Sequence, residues 1–334
     1  MKAWWVQTPG PIATRPLVSG ERDDPTPGPG EIRVRVLTCG VCRTDLHLAE
    51  GDLEPRRPLT IPGHEVVGEV DALGPGVTEF GIGDLAGIAW LRHTDGRCAY
   101  CRRGDENLCR QPLFTGWDAD GGYAERAVVD QNFAYHLPRD ADPVRTAPLL
   151  CAGIIGYRAL RIAHPRPGGP VGIYGFGASA HLAAQVAMHQ GNRVHVLTRS
   201  PDAQKLALEL GVASAGGAYD APPELLDAAV LFAPVGDLVP VALAALAPGG
   251  TLSVAGIHLS DIPSLDYQRH LFHERVLRSV TANTRRDGDE FLALATQMGI
   301  HVTTTPYPFD RAADALADLA ADRVNGAAVL RIGL

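Results

Sequence analysis

The sequence predicts a two-domain α/β protein in which a β-rich barrel precedes a doubly wound parallel sheet. Its 334 residues exceed what one ordinary hydrophobic core organises. Up to residue 139, short alternating runs are separated by Gly/Pro turns, a pattern typical of irregular strands. From Val171 onward, apolar runs alternate with helical patterns, which indicates parallel strands joined by helices.

Composition excludes several classes of partner. Hydrophobic residues make up 46% of the chain and charged residues 20%, as in an ordinary globular protein. The net charge of −8 argues against nucleic acid or an anionic membrane as partner. No apolar run approaches the ~18 residues that span a bilayer, and the N-terminus lacks the pattern of a signal peptide. We therefore expect a cytoplasmic protein without a membrane or nucleic-acid partner.

In the N-terminal half, alternation predicts strands over residues 32–36 and 66–70, with turns at 27–30 and 74–76. Residues 44–49 are typical of a short helix, and Thr44 is placed to cap it. Cys42 would then lie just before a helix N-terminus, where backbone N–H groups favour the thiolate.

In the C-terminal half, a strand at 171–174, a glycine-rich turn, a helix at 181–189 and a strand at 193–197 have the spacing of a dinucleotide-binding unit. The same alternation continues through residues 203–210, 228–232, 238–246, 251–255 and 275–280. The tail has helical patterns at 291–298 and 311–321 and a strand at 327–332. We expect the tail to fold back onto the N-terminal domain.

The glycine-rich turn has residues suited to a nucleotide. Gly175 permits a tight turn, Gly177 lets the pyrophosphate approach the backbone, and Ala180 allows close contact between helix and strand. An NAD enzyme would carry an acidic residue at the end of the second strand.

This chain has Thr198, Arg199 and Ser200 there, and Arg199 with two hydroxyls could hold a 2′-phosphate. NADP(H) is therefore favoured. NAD(H) stays possible if Arg199 only stacks on adenine.

Cys42, His64 and Cys151 together supply the ligand types of a catalytic zinc, which takes three protein ligands and leaves a fourth position open. Each donor lies near a glycine in an expected turn, namely Gly40, Gly63 and Gly153. Taken singly, each residue could equally be a packed core side chain.

Gly40-Val41-Cys42-Arg43-Thr44-Asp45-Leu46-His47, Gly63-His64-Glu65 with Gly68, and the turn at Gly175 resemble the zinc-dependent medium-chain alcohol dehydrogenases. The resemblance covers essentially the whole chain. It implies a GroES-like, zinc-binding catalytic domain over residues 1–147 and 288–334 and a Rossmann nucleotide-binding domain over 148–287. It also implies a homo-oligomer, either dimer or tetramer.

The resemblance implies a role for each residue around the metal. Cys42, His64 and Cys151 would be the catalytic zinc ligands, and Glu65 an acid that can approach the metal in exchange for water. Asp45 would orient the other ring nitrogen of His64.

Around these ligands, Thr44 would hydrogen-bond the substrate hydroxyl, and His47 would carry the proton to solvent. Thr44 could instead be a helix cap only, and His47 a solvated helix residue. Arg43 would contact the pyrophosphate. The residues expected to line the substrate pocket are Leu53, Trp90 and Trp117, for which core packing is the alternative.

A second cluster has the spacing of the structural zinc lobe of the same family, and consists of Asp95, Cys98, Cys101 and Cys109. Asp95 stands where the family normally has a fourth cysteine. A carboxylate oxygen can ligate zinc, so one aspartate and three cysteines could form the site, and a metal-free lobe is the alternative. Cys39 is expected to be a packed core thiol, because Arg-Thr-Asp follows Cys42 rather than Cys39.

These residues predict an alcohol dehydrogenase or aldehyde reductase that transfers hydride between a zinc-bound primary alcohol, aliphatic or aromatic, and a nicotinamide cofactor. The alternatives are a related reductase of polyols or enals, or a catalytically silent nucleotide-binding relative. Apolar walls disfavour polyols. The intact set of Cys42, His64 and Cys151 disfavours zinc-free reduction. Proton transfer through Thr44 and His47 would have no use in a catalytically silent protein.

Overall fold

The computed structural model describes residues 1–334, which form two compact units. Unit 1 comprises Met1–Cys151, Ala282–Asp289 and Val302–Leu334, and unit 2 comprises Ala152–Thr281 and Glu290–His301. The domain boundaries expected from the sequence, at 147/148 and 287/288, differ from these by a few residues, and residues 290–301 cluster with unit 2. The assignment of a function to each domain stays a prediction.

The strands, numbered along the chain, are β1 Lys2–Val6, β2 Leu17–Glu21, β3 Glu31–Val41, β4 Val66–Leu73, β5 Leu85–Ile88, β6 Leu91–His93, β7 Leu113–Phe114, β8 Arg126–Asp130, β9 Ala134–His136, β10 Pro170–Tyr174, β11 Arg193–Leu197, β12 Ser214–Gly216, β13 Leu226–Leu231, β14 Leu246–Val254, β15 Val276–Ser279, β16 Thr304–Pro308 and β17 Ala327–Arg331.

The α-helices are α1 Arg43–Glu50, α2 Ala99–Arg102, α3 Pro143–Thr146, α4 Ala152–Ala163, α5 Ala178–His189, α6 Pro201–Glu209, α7 Leu238–Ala245, α8 Tyr267–His270, α9 Arg285–Met298 and α10 Ala312–Ala320. Short 3₁₀ turns lie at Ile12–Thr14, Glu106–Leu108, Gln131–Phe133, Ala147–Leu150 and Phe309–Arg311. None of these helices combines the length and the apolar character that crossing a bilayer requires.

Unit 1 is built around β3, the longest strand, in a sheet of order β16-β17-β3-β4-β5-β9 with β8 also paired to β3. Ile32, Val34 and Val36 of β3 are fully buried, as the alternation of the sequence predicts. From Val302 onward the tail folds back as expected, because β17 pairs antiparallel with β3 and sets Ala328 opposite Val41, whereas the predicted helix at 291–298 belongs to unit 2.

The antiparallel pair β3–β4 positions the candidate ligands. Cys39 lies opposite Val66 in this pair, and the Gly40 N–H donates to the Glu65 carbonyl. The chain leaves β3 just before Cys42 and enters β4 just after His64. The two donors therefore meet at one end of the pair although 22 positions separate them in the sequence.

Unit 2 is a six-stranded sheet of order β12-β11-β10-β13-β14-β15 in which every pair is parallel. In order of appearance this is 3-2-1-4-5-6, the strand order of a Rossmann fold. Strand β10 is buried along its whole length, as expected for a parallel sheet covered on both faces. The expected fold class is confirmed.

Two of the expected glycine turns are wrong. Gly40 lies inside strand β3, and Gly153 lies inside helix α4, a helix that the sequence analysis did not predict. Both glycines serve close packing. A Cβ on Gly40 would lie 1.7 Å from the Glu65 carboxylate, and a Cβ on Gly153 would lie 2.2 Å from the ring of Phe291.

Candidate functional site

Four potential metal ligands of unit 1 converge although they come from three separate segments. One ligand atom from each of Cys42, His64, Glu65 and Cys151 lies within 4.8 Å of the others. The Sγ atoms of Cys42 and Cys151 are 4.0 Å apart. His64 and Glu65 are buried, and the two cysteines are half-buried. The three donors that the sequence singled out are thus neighbours in space.

Helix α1 begins one residue earlier than expected, and Cys42 rather than Thr44 is its N-cap. The cause is Asp45, whose Oδ2 accepts the Cys42 backbone N–H at 2.9 Å and closes the first turn. The expectation that Thr44 caps this helix is wrong. Cys42 still lies at the helix N-terminus, where unpaired backbone N–H groups favour an anionic sulfur.

The carboxylate of Asp45 connects the segments that carry the donors. It is fully buried and accepts from the Gly63 N–H at 3.0 Å, in addition to the Cys42 N–H. Its Oδ1 also lies 3.2 Å from Nδ1 of His64, and the Tyr123 hydroxyl donates to its Oδ2 at 3.4 Å. Asp45 thereby fixes the ring of His64 and the backbone at Cys42 and at Gly63.

The cluster is electrostatically unbalanced. A hydrogen bond from Cys151 lowers the pKa of the Cys42 thiol well below its ordinary value. Burial raises the pKa of Glu65 well above the ordinary carboxyl value. Two thiols, an imidazole and a carboxyl held together in this way supply the ligand types that zinc binds in proteins.

The residues present fit a zinc ion. Nε2 of His64 is buried without a hydrogen-bond partner, while Asp45 lies against the other ring nitrogen, so Nε2 is the ring nitrogen available to a metal. Tetrahedral zinc–thiolate bonds of about 2.3 Å set two sulfurs about 3.8 Å apart, close to the observed 4.0 Å. Two thiolates and an imidazole are soft and borderline donors, which suit zinc.

Thr44 and His47 lie on α1 beside these donors. Thr44 is buried, and its Oγ1 is 3.8 Å from Sγ of Cys42. His47 is half-buried one turn further along, with Nδ1 2.8 Å from a carboxylate oxygen of Asp52. The helix thus leads from the donor cluster towards a more exposed titratable group. Arg43, in the first turn, pairs with Asp322 of the same unit.

The residues expected to line a pocket lie against the same region. The ring of Trp90 meets the ring of His64 edge-on, with centroids 4.9 Å apart. Trp117 stacks on Trp90 at 5.9 Å, and both Trp117 and Leu53 are partly buried against the core of unit 1. Trp90 is thus in direct contact with a candidate ligand.

The second cysteine cluster also converges. One ligand atom from each of Asp95, Cys98, Cys101 and Cys109 lies within 4.8 Å of the others. The Sγ atom of Cys98 is 3.6 Å from that of Cys101 and 4.0 Å from that of Cys109. Backbone N–H groups of Cys98 and Arg97 donate to Asp95 and lower the pKa of its carboxyl.

This lobe is fixed to the rest of unit 1 by an ion pair. Glu106, which lies between the last two cysteines in sequence, is buried and accepts the backbone N–H of Arg285 at 2.7 Å and its guanidinium at 2.6 Å. The guanidinium of Arg285 also lies over the ring of Phe133. The segment between Cys101 and Cys109 is therefore held from outside the cluster.

In unit 2 the glycine turn follows β10 and begins α5. Gly175 has φ of +83°, and a Cβ there would lie 2.9 Å from the Ala233 nitrogen, so only glycine fits. Gly177 is the N-cap of α5, and a Cβ there would meet no atom within 4 Å. Ala180 is fully buried. An open space at a helix N-terminus is suited to an anionic phosphate.

The three residues after β11 differ in exposure. Thr198 is buried and donates its backbone N–H to Gly216, while the Ser200 hydroxyl caps α6 by accepting the Ala203 N–H at 3.3 Å. Arg199 is exposed. Among these three residues there is no acidic group to repel a phosphate.

Sequence reasoning missed Tyr123, which is fully buried and reaches the Asp45 carboxylate. Its segment runs along the residues just before His64, because the Gly122 and Tyr123 N–H groups donate to the carbonyls of Gly63 and Pro62. The pair Gly121-Gly122 was the available signal, since adjacent glycines indicate close approach of two backbones.

Comparison with known proteins agrees with the site. A family model described as the alcohol dehydrogenase GroES-like domain matches residues 28–139. The probable alcohol dehydrogenase AdhA of Mycobacterium tuberculosis is 58% identical over 99% of this chain and 97% of its own length.

Two solved structures share the fold over nearly the full length of both chains. A cinnamyl alcohol dehydrogenase of Sorghum bicolor has a TM-score of 0.90 and 26% identity, covering 99% of this chain and 97% of that one. A cobalt- and zinc-bound thermostable alcohol dehydrogenase from Pyrobaculum aerophilum has a TM-score of 0.91 and 25% identity, covering 99% of each. The chain belongs to the zinc-dependent medium-chain alcohol dehydrogenase family, which implies zinc and a nicotinamide nucleotide as its cofactors.

Proposed function

We propose that this protein oxidises primary alcohols, aliphatic or aromatic, and reduces the matching aldehydes, with Cys42, His64 and Cys151 as ligands of a catalytic zinc. The observation that carries the proposal is the buried, unpartnered Nε2 of His64 in a cluster with two thiols. Three protein ligands leave one tetrahedral position for the substrate oxygen. Zinc bound there would act as a Lewis acid and lower the pKa of an alcohol hydroxyl.

The remaining residues then handle the proton. The Thr44 hydroxyl, beside Cys42, accepts a hydrogen bond from the alcohol, and His47 passes the proton towards solvent. Asp52 orients the imidazole of His47 by binding its Nδ1. A nicotinamide nucleotide, when bound, would supply the acceptor for the hydride that the alcohol carbon releases as it becomes a carbonyl.

Two buried carboxyls have separate roles. Asp45 holds His64 and both adjoining backbone segments, so it positions a ligand without being one. Glu65 lies within reach of the three ligands and can approach the metal in exchange for water. Leu53, Trp90 and Trp117 supply an apolar wall, which favours alkyl or aromatic groups over polyols.

The first prediction concerns Cys42. Cys42→Ala should remove zinc and lower alcohol turnover by more than about a hundredfold, because one of three ligands is lost. Nucleotide affinity should stay nearly unchanged. Metal content by plasma emission, steady-state kinetics and a nucleotide titration give the three readouts.

Cys39→Ala is the matched control, because Cys39 is a fully buried thiol three residues away that is not among the clustered ligands. It should keep zinc and turnover. The proposal would be overturned if Cys42→Ala kept its zinc and its activity, or if nucleotide binding were lost in parallel with turnover.

We propose NADP(H) as the preferred nucleotide, bound at Gly175, Gly177 and Ala180 with its 2′-phosphate at Arg199 and the hydroxyls of Thr198 and Ser200. Arg43 would contact the pyrophosphate. The support is chemical: an exposed guanidinium and two hydroxyls follow β11, and no acid is among them.

The second prediction is that Arg199→Asp lowers the preference for NADP⁺ over NAD⁺ at least about tenfold, because a charge-assisted hydrogen bond contributes about 1.5–3 kcal/mol. The ratio of kcat/KM for the two nucleotides measures it. Arg193→Ala is the control, since Arg193 lies at the other end of β11 and is already paired with Glu224. An unchanged ratio in Arg199→Asp would remove the assignment.

We propose that Asp95, Cys98, Cys101 and Cys109 hold a second, structural zinc. Their mutual spacing supports a closed four-ligand site, and the ion pair of Glu106 with Arg285 holds the lobe against the unit. Carboxylate oxygen is harder than thiolate, so we expect weaker binding than at a four-cysteine site.

The third prediction uses two substitutions of Asp95. Asp95→Asn keeps an acceptor for the Arg97 and Cys98 N–H groups but loses the anionic ligand, so chelator should remove the second zinc about tenfold faster. Asp95→Cys should slow that removal. Metal stoichiometry against time in chelator measures both, and a wild-type chain with only one zinc would contradict the site.

We propose that the protein self-associates through the edge strand β15. That strand ends the sheet of unit 2 with one side unpaired, and the chain before and within it exposes a group of large apolar side chains. These are Ile257, Ile262, Tyr267, Phe272 and Val276. Pairing with the same strand of a second copy would cover both features.

The fourth prediction is that the wild-type chain sediments as a dimer or larger species and that Val276→Lys dissociates it, because a lysine on an edge strand opposes pairing. Sedimentation velocity at about 10 µM measures the change. Leu208→Lys, at another exposed apolar residue, on α6, should leave the mass unchanged. A monomeric wild type would contradict the proposal.

A further inference from the structure

Three aromatic rings form a nearly parallel stack beside His64. Trp90 stacks on Phe114 with centroids 5.0 Å apart and planes 21° apart, and on Trp117 at 5.9 Å and 15°. Phe114 and Trp117 are 5.9 Å apart and 26° from parallel. Trp90, the ring that touches His64, is buried, whereas Trp117 is partly exposed. Trp117 is therefore the ring of this stack that needs support from outside.

Residues 52–57 supply that support. The Trp117 indole N–H donates to the Glu54 carbonyl at 2.9 Å. The guanidinium of Arg56 lies 3.7 Å from the centroid of the Trp117 ring, which is close enough for a planar cation to stack on its face. Trp117 is thus held by a backbone carbonyl at its edge and by a cation on its face.

Arg56 is itself fixed to the segment that carries the stack. Its Nη1 donates to both carboxylate oxygens of Asp118, at 2.8 and 3.0 Å. Asp118 also accepts the Phe114 backbone N–H at 2.8 Å. One guanidinium therefore ties the 52–57 segment to the turn between Phe114 and Asp118. Its own position is set by a buried carboxylate, since the Asp118 side chain is only 9% exposed.

We propose that Arg56 is a positioning residue which, by holding Trp117, keeps the aromatic stack in place and so sets the affinity of this enzyme for alcohols with a flat aromatic group. The inference rests on the proposed function, because it takes His64 as a ligand of the metal that binds the alcohol. An aromatic substrate gains stacking area only when the wall presents a fixed face. Ethanol has no flat group to stack on that face.

The kinetic test compares benzyl alcohol with ethanol in Arg56→Ala and Arg57→Ala. Arg57 is the matched control, because it is the next residue, is equally exposed, and faces its own carboxylate, Asp120, at 3.5 Å. Arg56→Ala should raise KM for benzyl alcohol about five- to tenfold, with kcat within about twofold and the KM for ethanol nearly unchanged. Arg57→Ala should change none of these.

The variant Arg56→Lys keeps the positive charge but removes the planar guanidinium group. Arg56→Lys can still pair with Asp118, but an ammonium group has no plane to lay on the indole, so it should recover only part of the benzyl alcohol affinity. Equal rises of KM for both alcohols, or the same effect in Arg57→Ala, would overturn the proposal. Zinc content of each variant shows that the ligands are intact.

Tryptophan fluorescence tests the contact without turnover. Subtracting the emission of a protein that carries Trp117→Phe from that of the same protein with Trp117 isolates the emission of Trp117. This difference spectrum should shift to longer wavelength in Arg56→Ala but not in Arg57→Ala. An unshifted spectrum would overturn the role of Arg56. A wild-type enzyme that oxidises neither alcohol would instead overturn the proposed function, whereas a spectral shift in that inactive protein would still support the contact.

Discussion

The candidate catalytic site depends on one buried carboxylate, that of Asp45. It accepts the backbone N–H groups of Cys42 and Gly63, lies against the ring of His64 and accepts the hydroxyl of Tyr123. Burying an isolated carboxylate in a protein interior costs free energy, but each of these hydrogen-bond donors compensates part of the lost hydration. Because Asp45 makes all of these contacts, it sets the helix start at Cys42, the loop before His64 and the His64 ring together.

Much of this arrangement could be predicted because it is local in sequence. Cys42, Thr44, Asp45 and His47 lie within two turns of one helix, and the strand, glycine turn and helix around Gly175 follow one another along the chain. In such segments, spacing alone determines which side chains share a face. The strand order of unit 2 follows from the same regular alternation of strands and helices.

What could not be predicted depends on partners distant in sequence. Glycine usually indicates a turn, which is what Gly40 and Gly153 predict, yet both are glycines because Glu65 and Phe291 pack where a Cβ would be. Tyr123 reaches Asp45, and Arg56 reaches Trp117, across 78 and about 60 positions of the chain, and neither contact leaves a local pattern. Helix α4 was missed since its first turn contains the glycine that packing with Phe291 requires.

The two cysteine clusters use a carboxylate in different ways, and the difference fits their expected roles. Asp45 has its oxygens occupied by the backbone N–H groups of Cys42 and Gly63 and by the ring of His64, so we expect it to orient the candidate ligands rather than to bind the metal itself. Asp95 receives two backbone N–H groups on one oxygen, and its side chain also faces the thiols of Cys101 and Cys98. This is the carboxylate that we propose as the fourth ligand of the second cluster. Asp95, which stands where the family has a cysteine, is therefore compatible with a closed structural site. A fourth zinc ligand needs a suitable position and a negative charge, and a carboxylate can supply both.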